Sequence, residues 1–375
     1  MSSRIRLGDV ATYINGYAFK PEDRGSNGLP IIRIQDLTGN SYDLAYYDGA
    51  YPERIEINNG DVLISWSASL GIYIWDRGKA LLNQHIFKVV FDKSPIDKEY
   101  FVFAVKHKLK EMAGKTHGAT MKHIVKKDFD NTVIPYPSKD EQKEIANILC
   151  KIERIIEERQ RELLQLDELI KARFVELFGN PMINDKGYPL KRYGDLFELN
   201  AGGTPSKSHP EYWENGTISW IGSNMCQNTY IYENDGNYIT EEGYRHSSAR
   251  MFPIDTVLVA LVGATIGKTA LLKFETTTNQ NVLGIRGIRE SGYTPEFVYY
   301  YTQGLYDKFL AIGDGGFAMA SKGFISNLQI PIVDLSNQME FTSFANQVDK
   351  SKAVVQKSLD ETQKLFDSLM QKYFG

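Results

Sequence analysis

The sequence predicts an α+β chain of two β-rich domains and two long helices, and three observations predict it. The chain is written twice, each copy opens with short β-type segments between turn residues, and each copy closes on a long apolar stripe of helical period. At 375 residues the chain is too long for one ordinary core, so two domains are the natural division. Hydrophobic residues at 42% and charged residues at 24% match a globular protein that buries a normal core.

The repeat has a period of about 190 residues, of the kind that marks duplicated domains. Leu7-Gly8-Asp9-Val10 answers to Tyr193-Gly194-Asp195-Leu196, and Val62-Leu63-Ile64 to Val257-Leu258-Val259. Leu70-Gly71 answers to Ile266-Gly267, and Gly118-Ala119-Thr120-Met121 resembles Gly316-Phe317-Ala318-Met319. Asn83-Gln84-His85 answers to Asn279-Gln280-Asn281, offset by 279 − 83 = 196. Ile134-Pro135 meets Ile330-Pro331 at the same offset, which then holds to Phe178-Gly179 and Phe374-Gly375. Gly8 to Pro135 spans 135 − 8 = 127 positions and Gly194 to Pro331 spans 331 − 194 = 137, so the second copy carries extra residues. They are expected around Trp213 to Ser248.

Within the first copy, Pro30 to Ile34, Asp61 to Ser65, Ile72 to Trp75 and Ile86 to Phe91 read as short strands bounded by Gly, Asn and Asp. A surface turn carrying Asn83 and Gln84 interrupts Leu81 to Phe87. A single long helix follows. Ser138 with Glu141 three residues on makes a capping box after Tyr136-Pro137. Leu149, Ile156, Leu163, Ile170 and Leu177 recur every seven residues, flanked by Ile152 and Leu166, and Gly179 and Pro181 end the helix. The second copy runs Ala345, Lys352, Leu359, Phe366 and Tyr373, with Val348, Val355 and Leu369 alongside. Some forty residues of helix extend roughly 60 Å. A seven-residue stripe implies a left-handed two-helix seam, and the two helices are expected to pack on each other antiparallel. Lys352 and Arg159 interrupt the stripe, either fixing its register or snorkelling out of it. The expected boundaries are a first domain over 1–137, a central helix over 138–180, a second domain over 181–334 and a C-terminal helix over 335–375.

The net charge of −4 argues mildly against nucleic acid, but an average says nothing of clustering. From Ala104 to Lys127 seven lysines face one glutamate, a local balance of 7 − 1 = +6, with His107, His117 and His123 among them. The acid sits elsewhere, at Glu153, Glu157, Glu158, Glu162 and Glu168 among others. The longest apolar run, Val257 to Val262, is far short of a membrane span, and the opening residues, with no basic and apolar regions in series, lead us to expect no signal peptide. Cys150 and Cys226 fit no metal-ligand spacing, and a reduced cytoplasmic, nucleoid-associated location is expected. Gly263-Ala264-Thr265-Ile266-Gly267-Lys268-Thr269 looks like a phosphate-binding loop, yet three residues separate its glycines where that loop needs four. The matching first-copy segment Ser67-Ala68-Ser69-Leu70-Gly71-Ile72 has no lysine, so a turn between strands is expected instead. No methyltransferase, nuclease or metal-site motif stands out, and the chain reads as non-catalytic.

A β-rich domain, a long helix, a second such domain and a second long helix resemble the specificity subunit of type I restriction-modification systems. The resemblance rests on Gly8-Asp9-Val10 opening the first half and Gly194-Asp195-Leu196 the second. It rests also on Ile134-Pro135-Tyr136-Pro137 leading into Glu141-Gln142, and on the helix that follows. The second half departs from the pattern with Ile330-Pro331-Ile332-Val333 and Asn337-Gln338. The resemblance implies that each variable domain is a target-recognition domain reading one half of a split, asymmetric double-stranded DNA sequence. It implies that the helices set the gap and dock two methyltransferase subunits, to which restriction-translocase subunits add. S-adenosylmethionine, Mg²⁺ and ATP are then expected on those partners and none on this chain. Two recognition domains related by an approximate two-fold axis match half-sites about one helical turn, roughly 34 Å, apart.

For DNA contact the first-half candidate is the segment Lys115-Thr116-His117-Gly118-Ala119-Thr120-Met121-Lys122-His123. Lys115 and Lys122 suit phosphates, and Thr120, His117 and His123 suit base edges. Arg33, Gln35, Ser65, Ser67, Ser69, Asn83, Gln84 and His85 follow strands and are further candidates, since Asn and Gln pair bidentately with adenine. By position, the second-half candidates are Ser223, Asn224, Thr265, Lys268, Asn279, Gln280, Asn281, Ser321 and Lys322. Ordinary turn and strand-end hydrogen bonding is the competing explanation for each. Two alternative functions remain open: a specificity subunit working with methyltransferase partners alone, and a coiled-coil scaffold whose heads bind protein. The scaffold predicts no salt-dependent DNA affinity.

Overall fold

The computed structural model describes residues 3–39, 43–115, 125–312 and 319–375. The chain divides into two compact units, residues 1–161 with 356–375 and residues 162–355. Two forty-residue helices, α4 (Lys139–Phe178) and α10 (Leu335–Phe374), each contribute to both units.

In unit 1, β1 (Ser3–Arg6) pairs antiparallel with β10 (Val133–Tyr136). One four-stranded sheet takes β2 (Thr12–Asn15), β6 (Val62–Ser65), β7 (Gly71–Ile74) and β9 (Ile86–Val90) in the order β2-β9-β6-β7. The other takes β3 (Leu29–Ile32), β4 (Ala45–Tyr47), β5 (Glu56–Ile57) and β8 (Ala80–Leu82) in the order β4-β3-β8-β5. The expected strand Pro30–Ile34 stops at Ile32. Arg33 is the N-cap of α1 (Ile34–Leu37), where the Asp36 carboxylate accepts from the Arg33 backbone N–H at 2.7 Å and turns the chain. Helices α2 (Lys98–Lys115) and α3 (Lys126–Asp130) complete the unit. Helix α2 overlaps the lysine-rich stretch from Ala104 to Lys115, and its buried Tyr100, Phe101, Phe103, Ala104, Val105 and Leu109, which seat it on the core, are not marked by the charge pattern.

Unit 2 repeats this plan. A small ladder joins β11 (Leu190–Arg192) to β21 (Gln329–Pro331). The larger sheet holds β12 (Glu198–Ala201), β14 (Thr229–Ile231), β17 (Val257–Ala260), β18 (Thr269–Leu272) and β20 (Val282–Arg286), ordered β12-β20-β17-β18-β14. The smaller holds β13 (Ile218–Ile221), β15 (Tyr238–Ile239), β16 (Met251–Phe252) and β19 (Thr276–Thr278), ordered β15-β13-β19-β16. Helices α5 (Tyr193–Leu196), α6 (Glu241–Arg245), α7 (Pro295–Gly304), α8 (Tyr306–Leu310) and α9 (Lys322–Asn327) fill the remainder. Strand for strand the two units match, and β14, inside the stretch expected to hold the extra residues, has no counterpart among the described residues of unit 1.

The capping box forms as the sequence implies, with the Ser138 N–H donating to the Glu141 carboxylate at 2.9 Å. In unit 1, Leu149, Ile152 and Ile156 of α4 share a core with Phe366, Met370 and Phe374 of α10. In unit 2, Ile170, Phe174 and Phe178 share one with Phe341, Ala345 and Val348. The seam is antiparallel, because Arg173 pairs with Glu340 at 2.5 Å and Asp167 with Lys352 at 2.6 Å. Lys352 therefore bridges the seam instead of leaving it. Leu163, Leu177, Leu359 and Tyr373 of the seven-residue stripe are only half-buried. Burial passes from Tyr373 to Phe374 because 3.6 residues per turn drift against a repeat of seven.

Each long helix is tied to its β-rich region by a buried glutamine. The Gln142 Oε1 accepts from the Asp97 N–H just before α2, and its Nε2 donates to the Pro137 carbonyl, both at 2.9 Å. Gln338 does the same in unit 2, accepting from the Thr294 N–H at the start of α7 and donating to the Val333 and Gly292 carbonyls.

His107 on α2 is buried beside Phe374, with Glu111 3.3 Å away and Lys108 and Lys110 on the same helix. Burial holds its imidazole below the ordinary value, an effect that Glu111 opposes. A depressed native value means stability present above the unfolded value, about 6.5, and lost as pH falls below it. Replacing His107 by Gln is expected to reduce the loss of unit 1 stability between pH 7.5 and 5, measured by denaturant unfolding.

Candidate nucleic-acid interface

At one end of the sheets of unit 1, two tight turns and the strand end at Tyr17 are stitched together by the backbone. The Trp66 N–H donates to the His85 carbonyl at 3.2 Å, the Gln84 N–H to Tyr17 at 2.8 Å, and the Asn83 N–H to Ile32 at 3.1 Å. Ala68 and His85 both sit at positive φ, +57° and +73°, conformations that non-glycine residues take only when their surroundings impose them. The Ser65 hydroxyl holds the first turn closed by donating to the Ser69 carbonyl at 2.6 Å. The Trp66 ring stacks on Phe87 at 5.5 Å and meets His85 edge-on at 5.0 Å. This brings Ser67, Ser69, Asn83, Gln84 and His85 into one cluster, in which Ser69 and Gln84 are exposed, Asn83 and His85 half-buried and Ser67 buried.

Arg33 is placed differently. Its guanidinium lies 3.2 Å from the buried Asp36 carboxylate and also donates to the Asp43 carbonyl, so it holds a loop. Gln35 stands exposed on α1. Lys115 closes α2, and His117, Thr120, Lys122 and His123 lie outside the described residues. The basic cluster is not an unopposed patch. Lys106 pairs with Glu153 at 2.6 Å, Lys108 with Glu111 at 3.1 Å, Lys110 with Asp367 at 3.6 Å and Lys126 with Asp130 at 2.8 Å. Surface pairs of this kind stabilise little, but Glu153, Asp367 and Asp130 offset part of the local positive charge that counting lysines along the sequence implies.

The equivalent end of unit 2 is broader. Residues Gly263–Thr265 turn β17 into the antiparallel β18, a hairpin in place of the strand-to-helix passage that a nucleotide-binding loop needs. Lys268 donates to the Gln227 side-chain oxygen at 2.8 Å, and Gln227 in turn donates to the Asn224 carbonyl at 3.0 Å. The Asn228 side chain accepts from the Thr269 N–H at 2.9 Å, fixing the approach to β14. The Asn279 N–H donates to Ile221, its side chain accepts from the Asn281 N–H, and Asn281 receives the Leu261 N–H. The Gln280 side chain accepts from the Thr204 hydroxyl. The Ala320 N–H donates to Leu261, drawing in Ser321, which caps α9 by accepting from the Phe324 N–H at 3.1 Å, and the exposed Lys322.

Ser223, Asn224, Thr265, Lys268, Asn279, Gln280, Asn281, Ser321 and Lys322 thus fall on one connected set of loops. Asn224, Gln280, Ser321 and Lys322 are exposed there. Sequence reasoning missed Gln227, Asn228 and Thr204. Asn228 at φ +58° had a local signal, since asparagine tolerates the left-handed region; Gln227 and Thr204 had none, because only their distant partners mark them. No helix among the described residues is long and apolar enough to cross a membrane.

A family model described as the type I restriction modification DNA specificity domain matches residues 3–166 and again 186–363. The EcoBI type I restriction enzyme specificity subunit of Escherichia coli is 30% identical over 171 residues, covering 45% of this chain and 36% of that protein. The EcoR124I/EcoR124II specificity subunit, also of Escherichia coli, is 23% identical over 232 residues, covering 59% of this chain and 57% of that protein. The matches thus span from about a third to somewhat over half the length of these two relatives. Among solved structures, the crystal structure of the type I restriction-modification S subunit from M. genitalium superposes with a TM-score of 0.58 at 15% identity, over 100% of this chain and 96% of that one. At that identity the likeness concerns the fold alone.

Proposed function

We propose that this chain, which belongs to the type I restriction-modification DNA specificity family, reads a bipartite DNA target with one unit on each half-site. The observation that carries the reading is the repeated end-of-sheet cluster. The turns at Asn83-Gln84-His85 and Asn279-Gln280-Asn281 occupy equivalent places in two matching scaffolds and differ at their third residue, while Ser67, Ser69 and Ile72 of the neighbouring turn answer to Gly263, Thr265 and Lys268. A shared scaffold with divergent polar tips is what two related but unequal half-sites require.

In this reading the asparagine and glutamine amides at 83, 84, 279 and 280 address base edges, and Lys268 and Lys322 address phosphates. The antiparallel helices set the unread gap and dock two methyltransferase subunits, with restriction-translocase subunits joining them. S-adenosylmethionine, Mg²⁺ and ATP belong to those partners. A complex with methyltransferase subunits alone has the same specificity chain and differs by the absence of a nuclease.

The test is methylome sequencing of a host expressing this chain with its methyltransferase subunit. Modification in a split, asymmetric motif that disappears with the chain supports the reading; an assembled complex that adds no methylation overturns it. Within that system Gln280→Ala is expected to relax one position of one half-site, at about 1–3 kcal/mol of discrimination. Lys322→Ala is expected to weaken all sequences alike and to reduce the slope of log K against log salt by about 1. Salt titrations of the assembled complex on matched and mismatched duplexes separate the two.

A further inference from the structure

The turn at Asn83-Gln84 in unit 1 has an aromatic neighbour that its counterpart in unit 2 lacks. Beyond β2 and β12 the backbone runs alike in the two units. The Gly16 N–H donates to the Ile86 carbonyl at 3.1 Å and the Tyr17 N–H to Leu82 at 2.8 Å. In the same way Gly202 donates to Val282 at 3.0 Å and Gly203 to Thr278 at 2.8 Å. A glycine comes first in both units because the turn passes so close. A Cβ at Gly16 would lie 2.0 Å from the Asn83 carbonyl oxygen, and one at Gly202 would lie 2.5 Å from that of Asn279. The next residue differs, Tyr17 in unit 1 and Gly203 in unit 2. No side chain fits at Gly203, since a Cβ there would lie 2.3 Å from the Ser248 carbonyl carbon. Ser248, at the end of the stretch that carries the extra residues of the second copy, stands where that side chain would begin.

Tyr17 is held in place without being buried. Its carbonyl accepts from the Gln84 N–H at 2.8 Å and from the Phe19 N–H at 3.1 Å. Its ring meets the buried Phe19 edge-on at 5.0 Å, and Phe19 rests on Tyr47 at 5.2 Å. Tyr17 is nevertheless 41% exposed, next to the exposed Gln84. Fixed in this way, the ring loses little freedom when a partner covers it.

We infer that Tyr17 is a specificity-determining residue of unit 1, whose ring covers the 5-methyl group of a thymine in the half-site that Gln84 reads. This contact rests on the base reading proposed above for the turn. A glutamine amide pairs bidentately with adenine in the major groove, and the thymine of the same base pair shows its methyl group in that groove. An apolar ring fixed beside the amide therefore meets the apolar group that the groove displays. Gly203 gives unit 2 no such contact.

Duplexes carrying the target found by methylome sequencing, bound to the chain assembled with its methyltransferase subunit, test the contact. The half-site relaxed by Gln84→Ala is that of unit 1. Within it, deoxyuridine replaces thymine one position at a time, which removes the methyl group and nothing else. At one position wild-type binding is expected to weaken about fourfold, the factor for one buried methyl group. Tyr17→Phe keeps that factor. Tyr17→Ala binds the thymine duplex and its deoxyuridine twin alike, which a tyrosine with a purely structural role would not produce. The contact is overturned, and the function left standing, by any of four results: a half-site without an A·T pair, wild-type indifference to every deoxyuridine, the factor lost in Tyr17→Phe, or the factor kept in Tyr17→Ala. If Gln84→Ala relaxes neither half-site, base reading by this turn fails and the contact fails with it.

Discussion

Replacing Gln338 by alanine lowers the stability of unit 2 by about 3 kcal/mol or more. The residue is fully buried, and its amide serves three backbone groups at once: the Thr294 N–H at 2.9 Å and the carbonyls of Val333 and Gly292 at 3.1 and 3.3 Å. Alanine strands all three, and each buried, unsatisfied group costs roughly 1–3 kcal/mol. Leucine fills the space no better, because the loss lies in the polar groups left behind. Gln142→Ala is the parallel case in unit 1 and is expected to cost less, since its amide serves two groups. Denaturant unfolding followed by hydrogen exchange measures both and reports which unit opens. Equal and small losses would show that water replaces the amide at each site.

The recognised gap lengthens by about three base pairs when seven residues are inserted after Arg161 and seven more before Gln356. These points divide the two units on both helices, so each side gains the same length. Seven residues preserve the apolar stripe and add about 10 Å of helix, close to three steps of about 3.4 Å along the duplex. Three base pairs also rotate the duplex by about 100°, so affinity is expected to fall even as both half-sites keep their sequences. An insertion of four residues breaks the stripe and is expected to destabilise the seam instead. Methylome sequencing reads the outcome directly. An unchanged gap with intact half-sites sinks the idea that the helices act as a ruler.

The repeat, the two helices, the capping box of the first and their antiparallel seam were legible in the sequence because their signals are local or periodic. Ser138 and Glu141 are three residues apart, and the stripe from Leu149 to Leu177 needs only counting. The paired turns at Asn83 and Asn279 were visible for the same reason, as a motif recurring at a fixed offset. The tertiary structure alone decided which polar residues are occupied. Arg33 is committed to Asp36, Lys106 and Lys110 to Glu153 and Asp367, and Lys352 to Asp167. Most of these partners are distant in sequence, and no pattern along the chain marks them. Tertiary structure likewise decided that each compact unit takes half of both long helices and that β18 has a covering strand where β7 has none among the described residues. Periodicity tells each residue which face to bury, but the choice of neighbour is made by packing between segments that only the folded chain brings together.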